Sequence, residues 1–154
     1  FNGVPEFWDW LVYQGEEGII KIPAEIYDEI TDPNKPKADK DELTLWADDP
    51  DVKKALLLDE EFDSDLLKRI TYGGYTKNPT EDDLVTMGRD PFLLSYALKE
   101  PDNRTIVTME VSKPTKEGAN RRIPDVAKEP EFKLRCIDLF QMTAELKFST
   151  QWKS

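Results

Sequence analysis

The sequence predicts an α/β fold in which helices cover both faces of a short parallel sheet. Residues 105–108 are a β-branched run with no polar alternation, which is typical of a parallel strand buried on both faces. Just before it, residues 92–98 are apolar nearly all the way round, as expected of a core helix. Strand patterns alternate with helical ones along the chain, which favours parallel strands joined by crossovers.

Composition limits the chemistry that the chain can carry. The 154 residues fit one domain, and they include one cysteine and no histidine. A disulfide framework, a cysteine zinc site and histidine catalysis are therefore excluded. Carboxylates, lysines and hydroxyls remain as candidate groups. The net charge of -11 argues against non-specific binding to nucleic acid, although a local basic patch stays open.

No membrane segment or signal peptide is predicted. The chain lacks an apolar run of about 18 residues, and no charged and apolar leader pattern is visible. We therefore expect a soluble protein in the cytoplasm, with no membrane partner.

The first half of the chain predicts mostly helices. A helix begins near Pro5 with its apolar residues at helical spacing, and Pro23 opens another over residues 24–31. Between them, residues 19–22 read as a short strand. Further helices are expected at residues 42–46, 51–58 and 59–72.

The second half predicts the elements that surround the candidate site. Residues 72–75 break the helical pattern, and Thr80 caps a helix over residues 80–87. Asp90 is the expected N-cap of the core helix, with Pro91 as its first helical residue. The remaining expectations are a basic loop at 112–122, a helical turn at 123–127, a strand at 134–137 and a helix from Asp138 to about Lys147. This gives one domain over residues 1–148 and a frayed tail over residues 149–154.

Three strands form a thin sheet for this much apolar helix surface. A further strand preceding Phe1 would complete the sheet. We therefore expect a vacancy in the middle of the sheet, or another segment or copy of the chain in that place.

Seven segments, in this order, resemble the PIN-like nuclease domains, and among them an uncharacterised bacterial subgroup. The segments span nearly the whole chain: residues 7–11 (FWDWL), 26–30 (IYDEI), 41–43 with 46–47 (DEL with WA), 88–94 (GRDPFLL), 106–110 (IVTME), 123–126 (IPDV) and 136–139 (CIDL). The resemblance implies a three-layer α/β/α sandwich around a parallel sheet. It also implies an Mg²⁺- or Mn²⁺-dependent ribonuclease, of which many are toxins of toxin–antitoxin pairs.

The resemblance further implies that Glu29, Asp90 and Glu110 match three acids of the family's metal site and act in catalysis. The family also has an aspartate at the end of its first strand, and no matching motif exists here. Hard divalent cations prefer oxygen ligands, so clustered carboxylates suit this chemistry without any histidine.

Each of these acids also has a simpler interpretation. Asp90 can be only an N-cap, Glu110 a solvated acid at a strand end, and Glu29 a surface charge whose assignment is ambiguous with Asp28. Asp125 is either a cap or a group beside the metal.

Five basic residues are candidate contacts to RNA phosphates: Arg89, Lys113, Lys116, Arg121 and Arg122. The alternative is an ordinary solvated loop, with Arg89 paired to an acid of the site. The expected partners are RNA, a cognate antitoxin and a second copy of the chain. The competing hypothesis is a non-enzymatic interaction module that keeps the fold with an incomplete acidic site.

Overall fold

The protein has mixed α/β secondary structure in a computed structural model that describes residues 3–153. Within that range the helices are α1 (Pro5–Glu16), α2 (Ala24–Thr31), α3 (Glu42–Asp48), α4 (Pro50–Leu56), α5 (Ser64–Ile70), α6 (Glu81–Met87), α7 (Asp90–Lys99), α8 (Ile123–Ala127) and α9 (Leu139–Glu145). The strands are β1 (Thr105–Val107) and β2 (Arg135–Ile137).

The chain divides into two compact units. The first contains residues 3–61 and 145–153, and the second is Phe62–Ala144. Each has its own buried apolar cluster.

The first unit is a group of short helices around Tyr27 and Leu56, both of which are buried. The Tyr27 hydroxyl donates to the carbonyl oxygen of Ala47, which ties α2 to the end of α3. Helix α1 approaches α4 closely at Gly15, where an added Cβ would lie 2.6 Å from the carbonyl oxygen of Ala55. Glycine is therefore required at this contact.

The strand expected at residues 19–22 is wrong. The N–H groups of Ile19 and Ile20 both donate to the carbonyl oxygen of Gln14, so this segment closes the end of α1. Only Ile22 pairs as a strand does, through an isolated parallel bridge to Leu57. Ile20 and Ile22 thus pack against the core of the first unit instead of joining the sheet, and Ile19 is exposed.

Residues 149–154 are predicted to fray. In the part of this tail that the structure describes, however, Trp152 lies against α1. Trp152 Nε1 donates to the carbonyl oxygen of Glu6 at 3.2 Å. The Trp152 ring also lies 5.0 Å from that of Tyr13, measured between centroids.

The second unit carries the parallel pairing that the sequence predicts. Thr105, Ile106 and Val107 pair in register with Arg135, Cys136 and Ile137. The two strands are direct neighbours, so the expected vacancy does not lie between them. The core of the second unit brings together α5, α7, α8 and the sheet. Ile70 lies at the end of α5, Leu94 on α7, Val126 on α8 and Ile106 on β1.

Two helix starts in the second unit differ from the prediction. Asp63 accepts from the N–H groups of Asp65 and Leu66, which begins α5 at Ser64 instead of residue 59. Asp90 is the first residue of α7, and Arg89 is its N-cap. The reason is that the Arg89 carbonyl already accepts from Phe92 N at 3.0 Å. The predicted N-cap role of Asp90 is therefore wrong.

Other local predictions are confirmed. Thr80 and Asp83 form a reciprocal capping box at the start of α6. Asp138 accepts from Gln141 N at 2.8 Å, and the Gln141 side chain accepts from Asp138 N at 2.9 Å. None of the helices described here has the length and apolar character needed to cross a membrane.

Candidate functional site

The acids Asp90 and Glu110 both lie near one buried tyrosine, Tyr75, in the second unit. The side chain of Tyr75 is only 7 % exposed. Burial raises the pKa of its hydroxyl, and the negative charges of Asp90 and then Glu110 raise this pKa further. The positive charge of Arg121 lowers this pKa but does not outweigh the other effects. The Tyr75 hydroxyl therefore stays protonated, near two carboxylates and one guanidinium.

The elements of this unit account for that arrangement. Asp90 begins α7, which leads into β1 through residues 100–104 and packs beside it. Helix α7 therefore runs back along β1, which places Asp90 toward the carboxyl end of the strand. Glu110 follows the end of β1 by three residues. The carboxyl edge of a parallel sheet is where α/β proteins usually bind their ligands.

Glu110 is held in place by α8. Its Oε1 accepts from the backbone N–H of Ile123 at 3.1 Å. The N–H of Glu110 in turn donates to the hydroxyl of Thr108 at 3.1 Å. One hydrogen bond thus holds the half-buried side chain of Glu110, and another holds its backbone.

The Tyr72–Tyr75 segment forms a π-helical turn instead of the predicted break. Residues Thr71–Tyr75 continue α5 with wider hydrogen bonding, in which Thr76 N donates to the carbonyl oxygen of Thr71 at 2.9 Å. Such turns are frequent at functional sites. Here the turn brings Tyr75 into the core cluster with Leu94 and Ile106.

Asp125 organises the loop between Glu110 and α8. It is 6 % exposed, and its carboxylate accepts from the Ser112 hydroxyl and from Lys113 N, the latter at 2.8 Å. Burial alone would raise the pKa of Asp125, but these bonds and the charges of Lys128 and Arg121 hold it below its usual value. Asp125 is therefore an ionised anchor of the loop.

Arg121 is committed to structural contacts. Its guanidinium donates to the carbonyl oxygens of Gly74 at 2.7 Å and Asp125 at 3.3 Å, and to Glu129 Oε1 at 2.6 Å. A phosphate would have to displace these acceptors. Arg121, which is predicted to contact RNA, thus has a structural role that the sequence did not indicate.

The other basic candidates differ in exposure. The side chains of Lys113, Lys116 and Arg89 are exposed. Arg122 is half-buried, and its Nε is a buried atom without a hydrogen-bond partner among the described residues. Lys113 and Lys116 are consequently the loop residues best presented to a polyanion.

Glu29 lies in the first unit, on the exposed side of α2, and its neighbour Asp28 is also exposed. The opposite side of α2 is fixed by the buried Tyr27.

Asp90 and Glu110 are chemically suited to a small hard cation. No group of three or more acidic or cysteine side chains suitable for a metal occurs in the part of the chain that the structure covers. Mg²⁺, however, is usually held by one or two carboxylates and several waters. The unpartnered hydroxyl of Tyr75 beside the two carboxylates also marks a polar position within an apolar core.

Cys136 lies in the same neighbourhood, on β2. It is half-buried, and burial followed by the charge of Glu110 raises the pKa of its thiol. The thiol therefore stays protonated and is a poor nucleophile.

Sequence reasoning missed Tyr75 and Ser112. The doubled glycine of residues 72–75 predicts a break in the helix and assigns Tyr75 no role in a site. An aromatic residue directly after a glycine pair was the available signal, but the acidic neighbours of Tyr75 come from distant parts of the chain.

Comparison with known families matches residues 1–150 to a family model described as a domain of unknown function, DUF4411. The match covers nearly the whole chain, so the protein belongs to this family. No curated protein and no solved structure gives a significant match.

Proposed function

We propose that this DUF4411 chain is a metal-dependent endoribonuclease of the PIN-like class. In this proposal the mixed α/β chain is a PIN-like α/β/α sandwich that acts in the cytoplasm, and Mg²⁺ or Mn²⁺ is its cofactor. The observation that supports the proposal is that Asp90 and Glu110 both lie near Tyr75, toward the carboxyl end of a parallel strand.

Asp90 and Glu110 would hold the cation. A bound cation supplies activation of water and stabilisation of phosphoryl charge. The fixed Glu110 side chain needs little ordering on binding, because Ile123 N already orients it. Asp125 would act indirectly, by anchoring the loop beside the site.

The substrate that fits this arrangement is single-stranded RNA. Lys113 and Lys116 provide exposed positive charge close in sequence to Glu110, and phosphates are the usual partners of such residues. A toxin of this kind would be neutralised by a cognate antitoxin protein, and a homodimer is part of the same proposal.

Cleavage of labelled single-stranded RNA tests this function. We expect cleavage in Mg²⁺ or Mn²⁺, no cleavage in EDTA, and a loss of at least about 100-fold in Asp90→Asn and Glu110→Gln, since each removes a charged ligand. Asp102→Asn is the matched control, because Asp102 is an exposed aspartate in the turn before β1. Cleavage that persists in EDTA, or that survives both site substitutions, would contradict the proposal.

A non-enzymatic interaction module is the second candidate. It is favoured by Met109 and Val111, which flank Glu110 and are 57 % and 70 % exposed. Exposed apolar side chains beside a site can mark a protein interface. Purified wild-type protein that binds no cation and cleaves no RNA would favour this second function.

A further inference from the structure

One buried polar group near the candidate site has no partner. The Tyr75 hydroxyl oxygen is fully enclosed and forms no hydrogen bond among the residues that the structure describes. A buried polar group without a partner costs free energy relative to the same group in water. A phenylalanine would fill the same space without this cost, so packing alone does not account for the hydroxyl.

The surroundings of Tyr75 indicate which atoms can become its partner. The ring packs in the core cluster with Leu94, one turn after Asp90, and with Ile123, whose N–H binds Glu110. The charges of Asp90 and Glu110 both act on the hydroxyl. The enclosed hydroxyl without a partner and the two carboxylates assigned to the cation therefore belong to the same part of the second unit.

A carboxylate that binds a cation through one oxygen keeps its other oxygen for a hydrogen bond. Such outer partners orient the ligating group and strengthen the site. A protonated phenol supplies the required donor, and an enclosed one competes with no bulk water.

We propose that Tyr75 is a positioning residue for the metal site, and that its O–H donates to the carboxylate of Asp90 or Glu110 when the two acids hold the cation. This inference rests on the proposed function, because it takes Asp90 and Glu110 as ligands. Tyr75 touches neither the cation nor the substrate. It fixes the orientation of a ligand, and the binding of the cation gives the hydroxyl the partner that it otherwise lacks.

The test uses Tyr75→Phe in the full chain, with Mn²⁺ alone as the probe. Titration calorimetry should show Mn²⁺ affinity weakened about 10- to 100-fold, which is the usual cost of losing an outer partner. The melting temperature without metal should be unchanged or higher, because the substitution removes an unpartnered hydroxyl.

Tyr72→Phe is the matched control. Tyr72 lies in the same π-helical turn and is 47 % exposed. It should leave both the Mn²⁺ affinity and the melting temperature as in the wild type.

The possible results separate this inference from the function on which it rests. If the wild type and Tyr75→Phe bind Mn²⁺ equally, the inference is overturned and the proposed function stands. A lowered melting temperature without metal that accompanies the weaker affinity also overturns it, since Tyr75 would then have only a structural role. If the wild type binds no Mn²⁺, the proposed function fails together with the inference.

Discussion

Arg121 joins the basic loop to the π-helical turn by donating from Nη1 to the carbonyl oxygen of Gly74, at 2.7 Å and across 47 positions of sequence. The same guanidinium also reaches Glu129 at 2.6 Å. These bonds fix the residue that precedes Tyr75. The geometry near the two acids therefore depends on a basic side chain that the sequence suggested for RNA binding.

Substitutions at Arg121 and Lys116 should have separate effects, the first on stability and the second on RNA affinity. Arg121→Lys should lower the free energy of unfolding by about 1–3 kcal/mol, because an ammonium cannot reproduce the forked bonds of the guanidinium. Lys116→Ala should leave stability unchanged and weaken RNA binding. It should also reduce the slope of log affinity against log salt by about 0.7, as expected for one lost contact to a single strand.

Urea unfolding and RNA titrations at several salt concentrations measure these effects. If Arg121→Lys weakened RNA binding without any loss of stability, the structural role of Arg121 would be wrong.

Gly74 should tolerate no side chain. A Cβ on Gly74 would lie 2.5 Å from Cγ1 of the buried Val126, so Gly74→Ala should cost about 1–3 kcal/mol through overpacking. Gly73→Ala is the control, because its Cβ would meet only the end of the exposed Glu131 side chain. Urea unfolding of both variants should show a loss of stability for Gly74→Ala alone. Equal stabilities would show that the turn does not pack tightly against α8.

Asp125→Asn should lower the free energy of unfolding by about 1–3 kcal/mol at neutral pH, because the carboxylate accepts two hydrogen bonds in a buried position. The pKa of Asp125 is lowered in the folded state. Its contribution is therefore complete above the ordinary aspartate pKa of about 3.9 and is lost as the pH falls through the lower folded value.

Unfolding measured from pH 7 down to acid should show the wild type and Asp125→Asn converging in stability. The exposed control Asp102→Asn should follow the wild type across the whole range. A difference in stability between the wild type and Asp125→Asn that stayed constant with pH would contradict the conclusion that Asp125 is an ionised anchor of the loop.

The sequence predicted the elements whose signals are local. Helix α2 follows from Pro23 and from apolar residues at helical spacing, and the parallel pairing of β1 with β2 follows from two short apolar runs. Residues 19–22 carried a similar apolar signal, but the N–H groups of Ile19 and Ile20 close the end of α1. That choice depends on the neighbouring helix, which a strand pattern does not contain.

The candidate site was predicted in part, for the same reason. Asp90 and Glu110 were predicted through the order of motifs, whereas the Tyr75 hydroxyl was not. Tyr75 belongs to the same core as these acids' neighbours because a π-helical turn places it there. Arg121 likewise looked like a phosphate contact, because its acceptors at Gly74 and Glu129 are brought together only by folding.

The central claim is that Asp90 and Glu110 hold a divalent cation, and the melting temperature in Mn²⁺ tests it most directly. A ligand that binds only the folded state at 100 times its Kd stabilises it by about 2.7 kcal/mol, or about 5–10 °C for a chain of this size. We expect this rise for the wild type and for Asp102→Asn. We expect none for Asp90→Asn, whose loss of charge at the start of α7 costs only about 0.3–1 kcal/mol without metal. Equal rises in the wild type and Asp90→Asn, or no rise in either, would contradict the metal site.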